Sequence, residues 1–240
     1  MSVLLERCST LREMFESRTG KSLSGESVSI NSNISIDLAQ TLYATVLREK
    51  PTRVLEVGMA FGTSSLAILT ALRDCGNGGR LVTIDPMQTS IWKGCGKNAV
   101  ARAGLSGQHE VVEEYDYLAL PQLLAKGEKI GFAYIDGWHT FDYTLLDFWY
   151  ADRMLEVNGI IAFNDCGWRA VDKAIRFVMS HRKYVELDVG LTTKYRGLGR
   201  IQNAVSALTG GKHRWGRRAE DRYFRKEASW EPNWDFYAPF

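Results

Sequence analysis

No stretch of this chain reaches the ~20 apolar residues that a membrane-spanning helix requires. Its first residues, Met1-Ser2-Val3-Leu4-Leu5-Glu6-Arg7, have no basic segment leading into a long apolar run. The sequence therefore predicts neither a membrane span nor a secretory leader. Cysteine is scarce and scattered: Cys8, Cys75, Cys95 and Cys166 show no C-x-x-C spacing and read as reduced thiols of a cytoplasmic protein. An excess of charge is missing too. Thirty Lys and Arg against 28 Asp and Glu leave a net charge of +2, which gives no global reason to expect nucleic acid. What is present suits a globular enzyme: 240 residues, 45% hydrophobic and 24% charged, enough for one domain with a full core.

Two phosphate-binding signatures are also missing, and their absence narrows the ligand. Val54-Leu55-Glu56-Val57-Gly58-Met59-Ala60-Phe61-Gly62-Thr63-Ser64-Ser65 reads as a buried strand, a glycine turn and a helix opening on hydroxyls. Downstream, the apolar run Leu81-Val82-Thr83-Ile84 ends in Asp85, where an α/β nucleotide site holds a ribose by its hydroxyls. A dinucleotide fingerprint needs G-x-G-x-x-G, so that the backbone can approach a pyrophosphate. Here the spacing is Glu56-x-Gly58-x-x-x-Gly62, with no room cleared for a diphosphate and no Gly-Lys-Thr/Ser after it. An acid in this turn repels phosphate and suits a cationic amino-acid ligand.

Strands are predicted at 53–57, 80–84, 109–113, 131–135, 159–163 and 184–189, with 190–204 as an antiparallel return. Helices are predicted at 2–18, 36–48, 63–73, 91–103, 117–126, 141–155 and 168–181, and a polar connector at 21–35. Asn158-Gly159 marks a turn before the fifth strand. Alternation of this kind predicts a doubly wound α/β fold with a mostly parallel, seven-stranded, Rossmann-like sheet. Three segments are expected: an N-terminal helix and connector over 1–35, a catalytic domain over 36–204, and a C-terminal arm over 205–240.

E-x-G-x-x-x-G followed by Thr-Ser resembles motif I of the class I S-adenosylmethionine-dependent methyltransferases. Ligands in such sheets sit outside the C-terminal strand ends, which selects Asp136-Gly137-Trp138-His139 and Asn164-Asp165-Cys166. Over roughly 30–190 the chain resembles the small-molecule O-methyltransferases of the catechol and caffeoyl-CoA type and their sugar-modifying relatives. That resemblance implies S-adenosylmethionine as cofactor and a small hydroxylated acceptor. It implies Asp136 and Asp165 as ligands of Mg²⁺ or another divalent metal, and His139 as the base that takes the hydroxyl proton. Cys166 stands where the group has an Asn ligand, and a thiol is a poor partner for Mg²⁺. A metal-assisted and a metal-free reaction, the latter with Asp136 orienting His139 or the cofactor, therefore both stand.

Cofactor contacts are expected from Glu56 (toward the methionyl end or its water), Gly58, Met59, Gly62, Thr63, Ser64, Asp85 and Asp136, with Glu114 and Tyr115 near adenine. Residues 24–35 are expected to border the acceptor pocket and act as a lid. The arm interleaves basic and aromatic residues, Lys212-His213-Arg214-Trp215 through Trp234-Asp235-Phe236-Tyr237, and reads as docking on the parent domain or on the mate of a homodimer. An N-methyltransferase or macromolecule methyltransferase is a second reading. It lacks the Asn/Asp-Pro-Pro-Tyr/Phe signature after the fourth strand. A catalytically silent nucleoside-binding scaffold is a third.

Overall fold

A computed structural model describes residues 2–191 and 220–240. The chain starts with α1 (Val3–Arg7) and α2 (Ser9–Ser17), then a hairpin of β1 (Thr19–Lys21) and β2 (Ser27–Ser29), then α3 (Ile36–Glu49). The single helix expected over 2–18 is thus two, broken at Cys8, which is extended. The polar connector contains a hairpin. Ser35 caps α3, its Oγ accepting from the Leu38 amide at 3.3 Å.

The alternation that follows is β3 (Arg53–Val57), α4 (Thr63–Cys75), β4 (Arg80–Ile84), α5 (Cys95–Arg102), β5 (His109–Val112), α6 (Asp116–Ala125) and β6 (Ile130–Ile135). It continues through α7 (Phe141–Met154), β7 (Leu155–Phe163), α8 (Arg169–His181), β8 (Tyr184–Leu187) and β9 (Arg222–Lys226). Seven strands form one sheet in the order β5-β4-β3-β6-β7-β9-β8. Only β9 runs antiparallel to its neighbours. Most of the return strand expected at 190–204 lies outside the described residues, and the antiparallel strand is Arg222–Lys226, within the segment read as an arm. The seven-stranded sheet therefore extends beyond residue 204.

Two apolar layers cover the sheet. Val54, Leu81, Phe132, Tyr134 and Tyr223 pack with residues of α1 to α5, whereas Leu55, Val57, Ile84, Ile135 and Phe224 pack with α6, α7 and α8. Leu4, Leu11 and Met14 belong to the first layer, so residues 1–35 share the core of the main domain. Asn158-Gly159 is not a turn between elements. Asn158 has φ 71° inside β7, where the register against β6 shifts. The arm's last residues lie on the outer helices: the Phe240 ring stacks on Phe141 with centroids 6.4 Å apart, and Arg153 pairs with Glu231 at 2.5 Å. None of the four cysteines is in a disulfide. Among the described residues no helix is long and apolar enough to cross a membrane.

Candidate active site

The strand order reverses between β3 and β6, and there the chain leaves both strands toward a cavity of about 440 Å³. The Asp136 amide donates to the Val57 carbonyl at 2.8 Å, so the two strand ends run side by side. Gly58 has φ +89°, and a Cβ there would stand 2.0 Å from the Asp136 carbonyl oxygen. Gly62, at φ +83°, packs against the backbone of Gly96 and caps α4. Glycine at 58 thus serves the approach of two strand ends, and at 62 the turn into the helix.

Asp85 holds this loop. One oxygen accepts from the amides of Met59 (3.1 Å) and Ala60 (2.9 Å) and from Gln88 Nε2 (2.9 Å), and the other from the Met87 amide (2.8 Å). The residue expected to take ribose therefore also shapes the glycine turn, and it lines the cavity. No side chain caps the start of α4, where Thr63 and Ser64 line the same cavity; a helix start of this kind suits an anion.

Glu56 does not line the cavity. Strand alternation turns Val54 and Glu56 toward α4, and Glu56 is fully buried, its Oε2 accepting from Ser65 Oγ (2.5 Å) and Thr83 Oγ1 (2.8 Å). Burial pushes its carboxyl up to about 7, against the hydrogen bonds it receives. From there Glu56 supports the loop from beneath. Gly62 and Glu114 are likewise absent from the wall, and the Glu114 carboxylate accepts from its neighbour, the Tyr115 amide, at 2.8 Å. Met59, Tyr115 and Asp136 do line it, as does Asn33 from the expected lid segment.

At the rim, three side chains from two strand ends converge. His139 Nε2 lies 2.6 Å from Asp165 Oδ2 and 3.7 Å from Asp136 Oδ1. Neither carboxylate meets the ring nitrogen at hydrogen-bonding angles, so Nε2 is in close contact yet without a hydrogen-bond partner. One ligand atom from each of the three falls within 4.8 Å of the others, a set able to hold a cation. Burial, then the charges of Asp221, Asp165 and Glu56, hold the Asp136 carboxyl well above the ordinary carboxylate range. The His139 ring leans on Trp168, centroids 5.3 Å apart. Cys166 is fully buried, with its thiol donating to the Phe163 carbonyl at 3.1 Å. The thiol turns into the core and is no ligand.

Three further acids sit around this rim, of which sequence reasoning missed Asp221 and Asp147. Asp221 is 1% exposed and accepts from Asn164 Nδ2 at 2.7 Å and the Tyr134 hydroxyl at 3.0 Å; burial raises it to about 7. Asp116 lines the cavity, and the buried Asp147 beneath Gly137 has neither oxygen hydrogen-bonded; burial raises both. Asp116 closes the segment Glu113-Glu114-Tyr115-Asp116 that the resemblance sets near adenine.

A family model for methyltransferase domains matches residues 55–166. No curated protein sequence matches the chain. Among solved structures, the chain is similar to an O-methyltransferase from Bacillus cereus in complex with SAH, with 16% identity, TM-score 0.66 and 91% of each chain covered. It is also similar to the O-methyltransferase TomG of Streptomyces achromogenes, involved in tomaymycin synthesis and in complex with SAM, with 16% identity and TM-score 0.61 over 95% of this chain and 91% of that one. An SAH-bound methyltransferase of Podospora anserina gives 16% identity and TM-score 0.61 over 95% and 89%. Residues 55–166 match the model of a methyltransferase domain, and the chain has the fold of these class I S-adenosylmethionine-dependent O-methyltransferase-like structures.

Proposed function

We propose that the protein moves the methyl group of S-adenosylmethionine to a hydroxyl of a small acceptor, a sugar or secondary metabolite, with His139 as general base. The observation that carries this reading is the convergence of Asp136, His139 and Asp165 on the cavity that the glycine loop also walls. The sulfonium supplies an electrophilic methyl carbon, which the acceptor oxygen takes as the carbon–sulfur bond breaks. The chain's own groups then have two tasks, alignment and proton removal. The open N-terminus of α4, with Thr63 and Ser64, suits the methionyl carboxylate. Asp85 retains acceptor capacity on the oxygen that only the Met87 amide uses, which suits a ribose hydroxyl, and the Tyr115 ring offers an apolar face to adenine. Alignment of this kind contributes at most about 7–11 kcal/mol. His139 Nε2 takes the acceptor's proton, for about 10²–10⁴-fold, with Asp136 and Asp165 stabilising the imidazolium.

The resemblance also implies a divalent ion, and the donor set fits one: two carboxylates and an imidazole nitrogen, with the thiol turned away. Asp136 and Asp165 are the residues to hold it, and a bound ion lowers the acceptor hydroxyl's pKa. A second arrangement, with Nε2 itself a ligand, is favoured by its contacts lying outside hydrogen-bonding angles. The docking of Phe240 on the protein's own α7 supports an intrachain role for the arm over a dimer contact. Four cysteines without a disulfide support a reducing, cytoplasmic setting.

Methyl-labelled S-adenosylmethionine offered with a panel of sugars and phenols tests the reading. Transfer to oxygen, lost in His139→Ala while S-adenosylhomocysteine still binds, is the expected result. Label on amines or on macromolecules instead would establish the second reading. Unchanged turnover of the variant would remove the base, and binding without any transfer would leave a silent domain.

A further inference from the structure

Asp221 lies outside the matched methyltransferase domain and yet holds the loop that carries Asp165. Its Oδ1 accepts from Asn164 Nδ2 at 2.7 Å; its Oδ2 accepts from the hydroxyls of Tyr134 at 3.0 Å and Tyr223 at 3.5 Å. Beside it, the Cys166 amide donates to the Glu220 carbonyl at 2.7 Å. Two bonds from the C-terminal strand therefore clamp the 164–166 loop, one on a side chain and one on the backbone. Between them Asp165 sits at φ 51°, a left-handed conformation that a non-glycine residue holds only where its surroundings impose it.

The clamp fixes which way Asn164 points. Asn164 turns Nδ2 toward Asp221, which leaves its Oδ1 on the opposite side of the carboxamide. Asn164 lines the cavity together with Asp136 and Asp165 and is 8% exposed, and the carboxamide end turned away from Asp221 is its Oδ1. The Asn ligand of the resembling enzymes falls here on Cys166, whose thiol points into the core. A carboxamide oxygen is a donor that hard divalent ions accept readily, unlike a thiol.

We propose that Asp221 is a positioning residue that presents the Asn164 carboxamide oxygen to a divalent-cation site formed with Asp136 and Asp165, in place of Cys166. The proposal rests on the ion-assisted form of the function above. It makes β9, outside the family's matched region, part of the site: the strand supports the loop, and the residue before it sets the ligand.

Mn²⁺ binding to the full-length protein, measured by titration calorimetry or by the electron paramagnetic resonance signal of the free ion, tests it without any acceptor. The wild type is expected to bind one ion, and Asp136→Asn to lose it. Asn164→Ala and Asp221→Asn are each expected to weaken binding by about 10–100-fold. The double variant is expected to bind no worse than Asn164→Ala alone, because Asp221 acts through Asn164; a general loosening of the loop would add. Should Asp221→Asn fail to fold, as circular dichroism would reveal, Asn164→Ala carries the test by itself. If the wild type binds and Asp136→Asn does not, while Asn164→Ala binds within twofold of wild type, the proposal is overturned and the ion reading survives. If the wild type binds no Mn²⁺ at millimolar concentration, both fall, and S-adenosylhomocysteine binding still tests the methyltransferase reading separately.

Discussion

A Cβ on Gly58 would lie 2.0 Å from the carbonyl oxygen of Asp136, so the glycine loop after β3 and the loop after β6 leave the sheet too close together for a side chain between them. Gly58→Ala therefore meets a steric clash with backbone and a φ of +89° at once. We expect a loss of stability of about 2–4 kcal/mol and weakened binding of S-adenosylhomocysteine, measured by denaturant titration and calorimetry. Wild-type behaviour in both would contradict the account of the switch point.

Asp85 links the loops after β3 and β4 by accepting from Met59, Ala60, Met87 and Gln88. Asp85→Ala leaves three amides without their acceptor. Cofactor affinity is expected to fall by at least tenfold together with thermal stability. Asp85→Asn keeps one acceptor oxygen and is expected to lose less of both.

Removing metal separates the two forms of the reaction. Dialysis against a chelator is expected to lower methyl transfer, Mn²⁺ is expected to restore it, and S-adenosylhomocysteine affinity should stay within twofold throughout. Full activity after exhaustive chelation would leave His139 acting alone.

A chain of hydrogen bonds under the glycine loop gives stability a pH signature. Thr83 Oγ1 donates to Glu56 at 2.8 Å and so accepts from His109 Nε2 at 2.9 Å. Burial raises Glu56 from 4.5 to about 7, so the folded state binds more protons there than the unfolded one; its contribution is full below 4.5 and lost as pH rises through 7. Burial lowers His109 from 6.5 to about 4, so its contribution is full above 6.5 and lost as pH falls through 4. The two slopes oppose each other and largely cancel between 4.5 and 6.5. Glu56→Gln is expected to leave a melting temperature that rises with pH across that window, and His109→Gln one that falls. Parallel curves for all three proteins would contradict both assignments.

The parallel core was legible because β3, β4, β6 and β7 are apolar runs ended by turn chemistry, and because strand ends point at the ligand crevice. That rule found Asp136, His139 and Asp165, which the structure brings together. The direction of Glu56 was also available in principle, since alternation puts it on the face of Val54 and away from that of Leu55 and Val57. What stayed hidden depends on distant partners. Arg222-Tyr223-Phe224-Arg225-Lys226 reads as a basic arm, yet it is an inner strand: Tyr223 and Phe224 fill opposite core layers, and Glu186, Glu49 and Asp152 neutralise its three cations. Asp221 is an ordinary acid in sequence. Only the fold sets it against Asn164 and Tyr134.

The central claim is that one cavity holds S-adenosylmethionine with its methyl group facing Asp136, His139 and Asp165. A crystal structure of the protein with S-adenosylhomocysteine tests it most directly. The account predicts adenosine between Asp85 and Tyr115, the amino-acid end at the start of α4, and the sulfur directed at His139. A cavity that stays free of S-adenosylhomocysteine at millimolar concentration, or that takes a nicotinamide dinucleotide instead, would contradict it.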